Sequence, residues 1–162
     1  MTNSGKTTIK DLILPIQIIA GALILGPTLF LIFTSYINYT TNPEVDTELS
    51  EIFGIVILII GFSSFIISHF VYKKHLKTID KTAAIREKLG KLQLATIIRL
   101  ASLEGTALFS IVSFFVTNNI YFQYFAIAVL VIMVLYFPTK SRIAEDSKLN
   151  EEEYREMKKS TS

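Results

Sequence analysis

Four apolar runs, at residues 12–37, 52–72, 95–117 and 120–137, divide this 162-residue chain, and every lysine and arginine falls on one side of the pattern they draw. A helix rises about 1.5 Å per residue and a hydrocarbon core is about 30 Å thick, so about 20 apolar residues are needed to cross it. Three runs reach that length. The fourth has eighteen residues before Pro138 and is expected to cross with little tilt. The fold class read from this pattern is all-α: a polytopic membrane protein of four transmembrane helices in two hairpins over residues 1–137, then a charged, partly helical tail over 138–162.

Charge sets the expected threading. The segment 38–51 holds Glu44, Asp46, Glu48 and Glu51 and nothing basic, and Asn118–Asn119 joins the third and fourth runs without a basic residue. Lys6 and Lys10 precede the first run; Lys73, Lys74, Lys77, Lys81, Arg86, Lys88 and Lys91 fill the middle connector; Arg99 sits just inside the third; Lys140, Arg142, Lys148, Arg155, Lys158 and Lys159 follow the fourth. Short loops rich in lysine and arginine stay cytoplasmic, so both termini and the connector are expected in the cytosol. The net charge of +2 conceals this layout, with sixteen basic and nine acidic residues on one side and four acidic residues in the outer loop. The N-terminal run is too long for a signal-peptide core and reads as a retained anchor.

The chain has no cysteine, which excludes disulfides and thiolate chemistry, and no tryptophan, which leaves tyrosine to form the interfacial belt. Tyr36, Tyr39, Tyr72, Tyr121, Tyr124 and Tyr136 fall at or near segment ends. With His69 and His75 as the two histidines, no metal site is expected. Phosphate loops, paired intramembrane carboxylates and hydrolase motifs are missing, so neither catalysis nor a cofactor is expected, and no nucleic-acid partner.

Small residues carry the expected helix packing. Laid over 91–116 without gaps, residues 12–37 match at seven of twenty-six positions, among them Ala22 with Ala101 and Gly26 with Gly105. Each pair is a small-x-x-x-small motif that admits a neighbouring helix closely; Gly61, Ser64 and Ser68 give the second helix a comparable face. Pro27 removes a backbone donor and is expected to kink the first helix, while Thr106 at the aligned position can bond back to the preceding turn. The connector, Lys73 to Lys91, reads either as a short surface helix meeting anionic lipid headgroups or as a flank whose charges only set topology. In the tail, Asn150 is expected to cap a helix opening with Glu151, Glu152 and Glu153; a solvated segment is favoured over a docked one.

Glu104 is the one ionisable residue far from every expected boundary, about 14 Å deep by helical rise. A carboxyl at a helix centre costs about 2.5–3.5 kcal/mol by insertion scales, so it should face the bundle or a wet cavity. Ser63 and Ser64 reach a similar level and could share a hydrogen-bond network with it, joined by Ser102 or Thr106. In one reading Glu104 handles a proton or cation; in the other it holds helices together beside Gly105. Arg99, five residues away, is expected to snorkel to cytosolic phosphates.

The stretch Arg-Leu-Ala-Ser-Leu-Glu-Gly-Thr-Ala-Leu-Phe-Ser at 99–110, followed by a span ending in Phe137-Pro138 and a charged tail, resembles uncharacterised small four-span bacterial inner-membrane proteins. The resemblance implies topology and compartment, and no activity. Glu104 is also similar to the membrane acid of rotary-ATPase rotor subunits, but it lies in the first helix of its hairpin and that function is not carried over. The expected role is therefore packing with itself or a partner membrane protein, with a proton- or cation-coupled channel or transporter subunit as the alternative.

Overall fold

The computed structural model describes residues 9–80 and 82–160. Lys6 and Lys81 lie outside them, as do the side chains of Lys10, Met157, Lys158 and Lys159. The described residues form helices and no strand: α1 (Ile9–Thr41), α2 (Thr47–Lys77), α3 (Ile85–Thr117), α4 (Ile120–Leu135), α5 (Lys140–Asp146) and α6 (Glu151–Ser160). Three of these helices, α1, α2 and α3, are long and apolar enough to cross a membrane, or four if α4 and α5, bent by 70°, count as one span. This is the helix content of a multi-pass membrane protein.

The helices outrun the apolar runs. α2 continues five residues past residue 72 and α3 begins ten before residue 95, so the connector shortens to a few residues and forms no separate surface helix among the described residues. Hydropathy marks where lipid ends, whereas a helix continues into water as long as no residue breaks it. In the shortened connector, Asp80 Oδ1 accepts from both the backbone N and the hydroxyl of Thr82, at 2.9 Å each, which holds its carboxyl below the usual range. α4 is shorter than expected. It stops at Leu135, before Pro138, whose ring disfavours helical geometry at the preceding residue, and Thr139 caps α5. Pro27 does not divide α1, which runs unbroken through it; beside it Thr28 Oγ1 donates to Ile24 O at 2.7 Å.

α3 is the axis of the fold. α2, α4 and α1 all pack on it, while α1 and α2 make little contact with each other, so the first hairpin is open rather than closed on itself. The two hairpin turns are tied at the acidic end: Asp46 N donates to Thr117 O at 3.1 Å and Asn118 Nδ2 to Pro43 O at 2.5 Å. Asp46 and Asn119 cap α2 and α4 with their side chains.

At the opposite, basic end the tail is a packed element, which corrects the expectation of a solvated segment. Ile143 and Ala144 of α5 are buried with Ile13, Tyr72, Ile79, Leu89, Leu92 and Ala95. Lys148 Nζ donates to Ile79 O at 2.8 Å, and Gln17 Nε2 to Pro138 O at 3.1 Å. Asn150 does cap α6, in a reciprocal box: Glu153 N donates to Asn150 Oδ1 and Asn150 N to Glu153 Oε2, both at 2.8 Å.

Candidate functional site

Glu104 sits half-buried on the side of α3 that meets α1; a Cβ built on Gly26 would lie 3.9 Å from its Oε1. No hydrogen bond joins it to Ser63, Ser64, Ser102 or Thr106 among the described residues, so the expected network is not formed. Two geometric facts explain this. Thr106, two residues on and hence on a different face of α3, points towards Gly61 of α2, which places α2 and its serines away from Glu104. The α3 hydroxyls are also already engaged: Ser102 donates to Ile98 O at 2.8 Å, Thr106 to Ser102 O at 3.4 Å and Ser110 to Thr106 O at 2.9 Å. In an apolar surround a hydroxyl satisfied by its own helix needs no neighbour. Ser63 is exposed and Ser64 half-buried on α2.

The small residues divide into inward and outward sets. Gly61 is wedged under α4, its Cβ position 3.1 Å from Phe125 Cζ and 3.6 Å from Thr106 Cγ2. Ser68, two turns along, is buried and donates to Phe65 O at 3.2 Å. Ala22, Gly26, Ala101 and Gly105 are all exposed, and nothing lies within 4 Å of where a Cβ on Gly105 would be. On α3 this open strip continues through Leu94, Val112 and Val116, with α1 to one side at Glu104 and α2 to the other at Thr106.

Arg99 corrects the snorkelling expectation. Its guanidinium carbon lies 4.4 Å from the Tyr72 ring centroid and 3.3 Å from that of Tyr136, so the cation is held between two rings instead of reaching phosphate. Its Nε is buried without a hydrogen-bond partner among the described residues. Tyr72 in turn donates its phenol to Asp146 Oδ2 at 2.5 Å, so that α2, α3, α5 and the C-cap residue of α4 meet there. Two tyrosines of the expected interfacial belt are thus turned inward, while Tyr36, Tyr39, Tyr121 and Tyr124 remain exposed.

The lysine cluster is likewise divided. Lys88 is 1% exposed and gives both its hydrogen bonds to Glu153, at 3.1 and 2.9 Å, while Lys91 pairs with Glu87 at 2.8 Å. Lys73, Lys74 and Lys77 are exposed on the last turns of α2. No signal in the sequence pointed to the Lys88–Glu153 pair, whose members are 65 residues apart. Compared with known proteins, the chain matches no family model, no curated sequence and no solved structure.

Proposed function

We propose that this chain is a non-enzymatic, four-span membrane protein that works by helix packing, with the open strip of α3 as its contact surface for a transmembrane helix of a second copy. One observation carries the reading: α3 is the most buried of the spanning helices, yet the strip bearing Ala101 and Gly105 is left uncovered, with free space over Gly105. Association of membrane helices gains little from hydrophobicity, because lipid tails are as apolar as the side chains; close backbone approach at small residues supplies the dispersion contacts instead. The charge asymmetry supports a cytosolic basic end, and the setting we favour is a bacterial inner membrane. Lys73, Lys74 and Lys77 then face anionic headgroups at about 1 kcal/mol each.

Gly105→Leu tests this, because a Cβ added there has nothing within 4 Å beyond its own helix backbone and chain neighbours. The substitution should not lower the folded monomer's melting temperature in detergent, since helix propensity favours leucine over glycine, and should abolish self-association measured by sedimentation or energy transfer between labelled copies. Unchanged association, with a second copy still bound, would reject the reading; loss of a different co-purifying membrane protein would assign the strip to that partner.

A second reading rests on Glu104, a carboxyl within a span that has no hydrogen-bond partner among the described residues. As part of a proton or cation path it would bind from the strip between α1 and α3. Reconstituted wild type should then show flux above empty vesicles, reduced at least tenfold in Glu104→Gln. Equal flux in the two proteins sinks this reading and leaves the packing proposal standing.

A further inference from the structure

At the acidic end of the fold, where α1, α3 and α4 terminate together, a half-open cleft of about 400 Å³ lies among Ser35, Asn38, Tyr39, Asn42, Asn118 and Gln123. This volume falls in the range of small-molecule sites. Among the described residues no charged side chain lines it. Its distinctive chemistry is a set of carboxamides whose nitrogens are engaged and whose oxygens are not. Asn38 Nδ2 donates to Phe114 O at 3.1 Å, Gln123 Nε2 to Ser35 Oγ at 2.9 Å, and Asn118 Nδ2 to Pro43 O at 2.5 Å. Ser35 passes its own hydrogen to Leu31 O at 2.6 Å. These bonds fix the orientation of three amide planes, and among the described residues no protein donor reaches their three oxygens. Asn38 is 5% exposed as a residue, yet its amide oxygen is not sealed in the interior and keeps contact with solvent beside the cleft. A ligand that displaces the water from these acceptors without loss must donate hydrogen bonds in its place.

We infer that this cleft binds a neutral polyhydroxylated group, a sugar ring, whose hydroxyls donate to the amide oxygens of Asn38, Asn118 and Gln123. An anion would meet acceptors and no cation; a purely apolar ligand would leave every acceptor unsatisfied. Several hydroxyl donors on one rigid ring match several fixed acceptors. The free amide of Asn42 supplies donors for the sugar's own oxygens, and Tyr39, 86% exposed at the rim, offers a flat ring for the C–H face of the sugar. Exposed Tyr36, Tyr121 and Tyr124 surround the same end, at the level where headgroups lie. The sugar can therefore come as a free saccharide or as a glycolipid headgroup.

The test uses the full chain, 15N-labelled, in nanodiscs, followed through the side-chain amide signals of Asn38, Asn118 and Gln123. Two probes are added: free glucose to phosphatidylcholine discs, and discs prepared with monoglucosyl diacylglycerol. Shifts with both probes support the inference with a free saccharide as ligand; shifts with the glycolipid alone support it with a headgroup. Tyr39→Ala and Asn42→Gly leave the fold intact, since Tyr39 is exposed and Asn42 has φ 43°, a geometry glycine adopts readily. Each should weaken the response at least tenfold. Silence towards both probes, equal affinity in both variants, or an equal response to choline chloride would overturn the inference.

Discussion

Glu153→Ala is expected to release α6 from the rest of the protein while leaving α5 in place. Lys88 is almost fully buried and its ammonium finds both of its acceptors on that one carboxylate. Breaking a buried pair by removing one partner costs about 3–5 kcal/mol, because the remaining charge is left in a poor dielectric. The same substitution removes the return bond of the capping box, from Asn150 N to Glu153 Oε2. α6 touches mainly α1 and this lysine, so the least costly relief is for α6 to swing away and let water reach Lys88, a local opening and not global unfolding. α5 has its own anchors in Ile143, the Tyr72–Asp146 bond and Lys148 on Ile79 O. Amide exchange over Glu151–Ser160 should therefore accelerate by about two to three and a half orders of magnitude, the fold-change that the cost converts to, with Lys140–Asp146 unchanged. Glu151→Ala is the matched control: its 3.8 Å contact with Arg155 joins two largely exposed side chains and should have no measurable effect. Equal exchange in Glu153→Ala and wild type would show that the pair does not hold α6.

What the sequence revealed and what it hid divide along a physical line. Features set by composition over a stretch were legible: the long apolar runs, the turn at Asn118–Asn119, the helix stop before Pro138 and the cap at Asn150 all reflect local chemistry. Features set by direction around a helix were not. Depth along the helix placed Ser63 and Ser64 level with Glu104, but level says nothing about azimuth, and α2 packs on another face of α3. Arg99 lies where a long cation usually reaches for phosphate; that two belt tyrosines would turn inward to hold it depends on α2 and α4 converging there. The sixteen basic residues read as one population by charge count, yet Lys88 is in a buried pair while Lys73 and Lys74 are exposed. For the candidate sites the same limit applies: the recurrence of Ala-x-x-x-Gly was visible, but which glycine faces a neighbour and which faces open space was not.

That distinction has its largest consequence at Gly61, where substitution should damage the fold itself. A bare Cβ there would come 3.1 Å from Phe125 Cζ and 3.6 Å from Phe125 Cε1, with Thr106 Cγ2 also at 3.6 Å on the other side. Alanine thus already forces Phe125 to yield, and Phe125 is not free to move, since it packs against both the central cluster around Ala107 and Ala126 and the aromatic one formed by Ile57, Phe114 and Phe122. Overpacking a filled interior costs about 1–3 kcal/mol. Gly61→Ala should fall near the lower end of that range. Gly61→Leu, with three further carbons between α2 and α4, should reach or exceed the upper end by prising α2 off α3. Helix propensity works in the opposite direction, favouring alanine over glycine by about 1 kcal/mol, so Gly61→Ala should come out near neutral overall, and the contact with Phe125 should show in Gly61→Leu and in the coupling between the two sites. Truncating the obstacle gives the decisive comparison: Phe125→Leu should cost stability alone, yet in combination with Gly61→Ala the two costs should sum to less than their separate values, because the second change relieves the first. Thermal unfolding of the four variants in detergent measures this coupling. Strict additivity would mean that α2 and α4 do not meet at Gly61, and the arrangement of α2 and α4 around α3 would have to be redrawn.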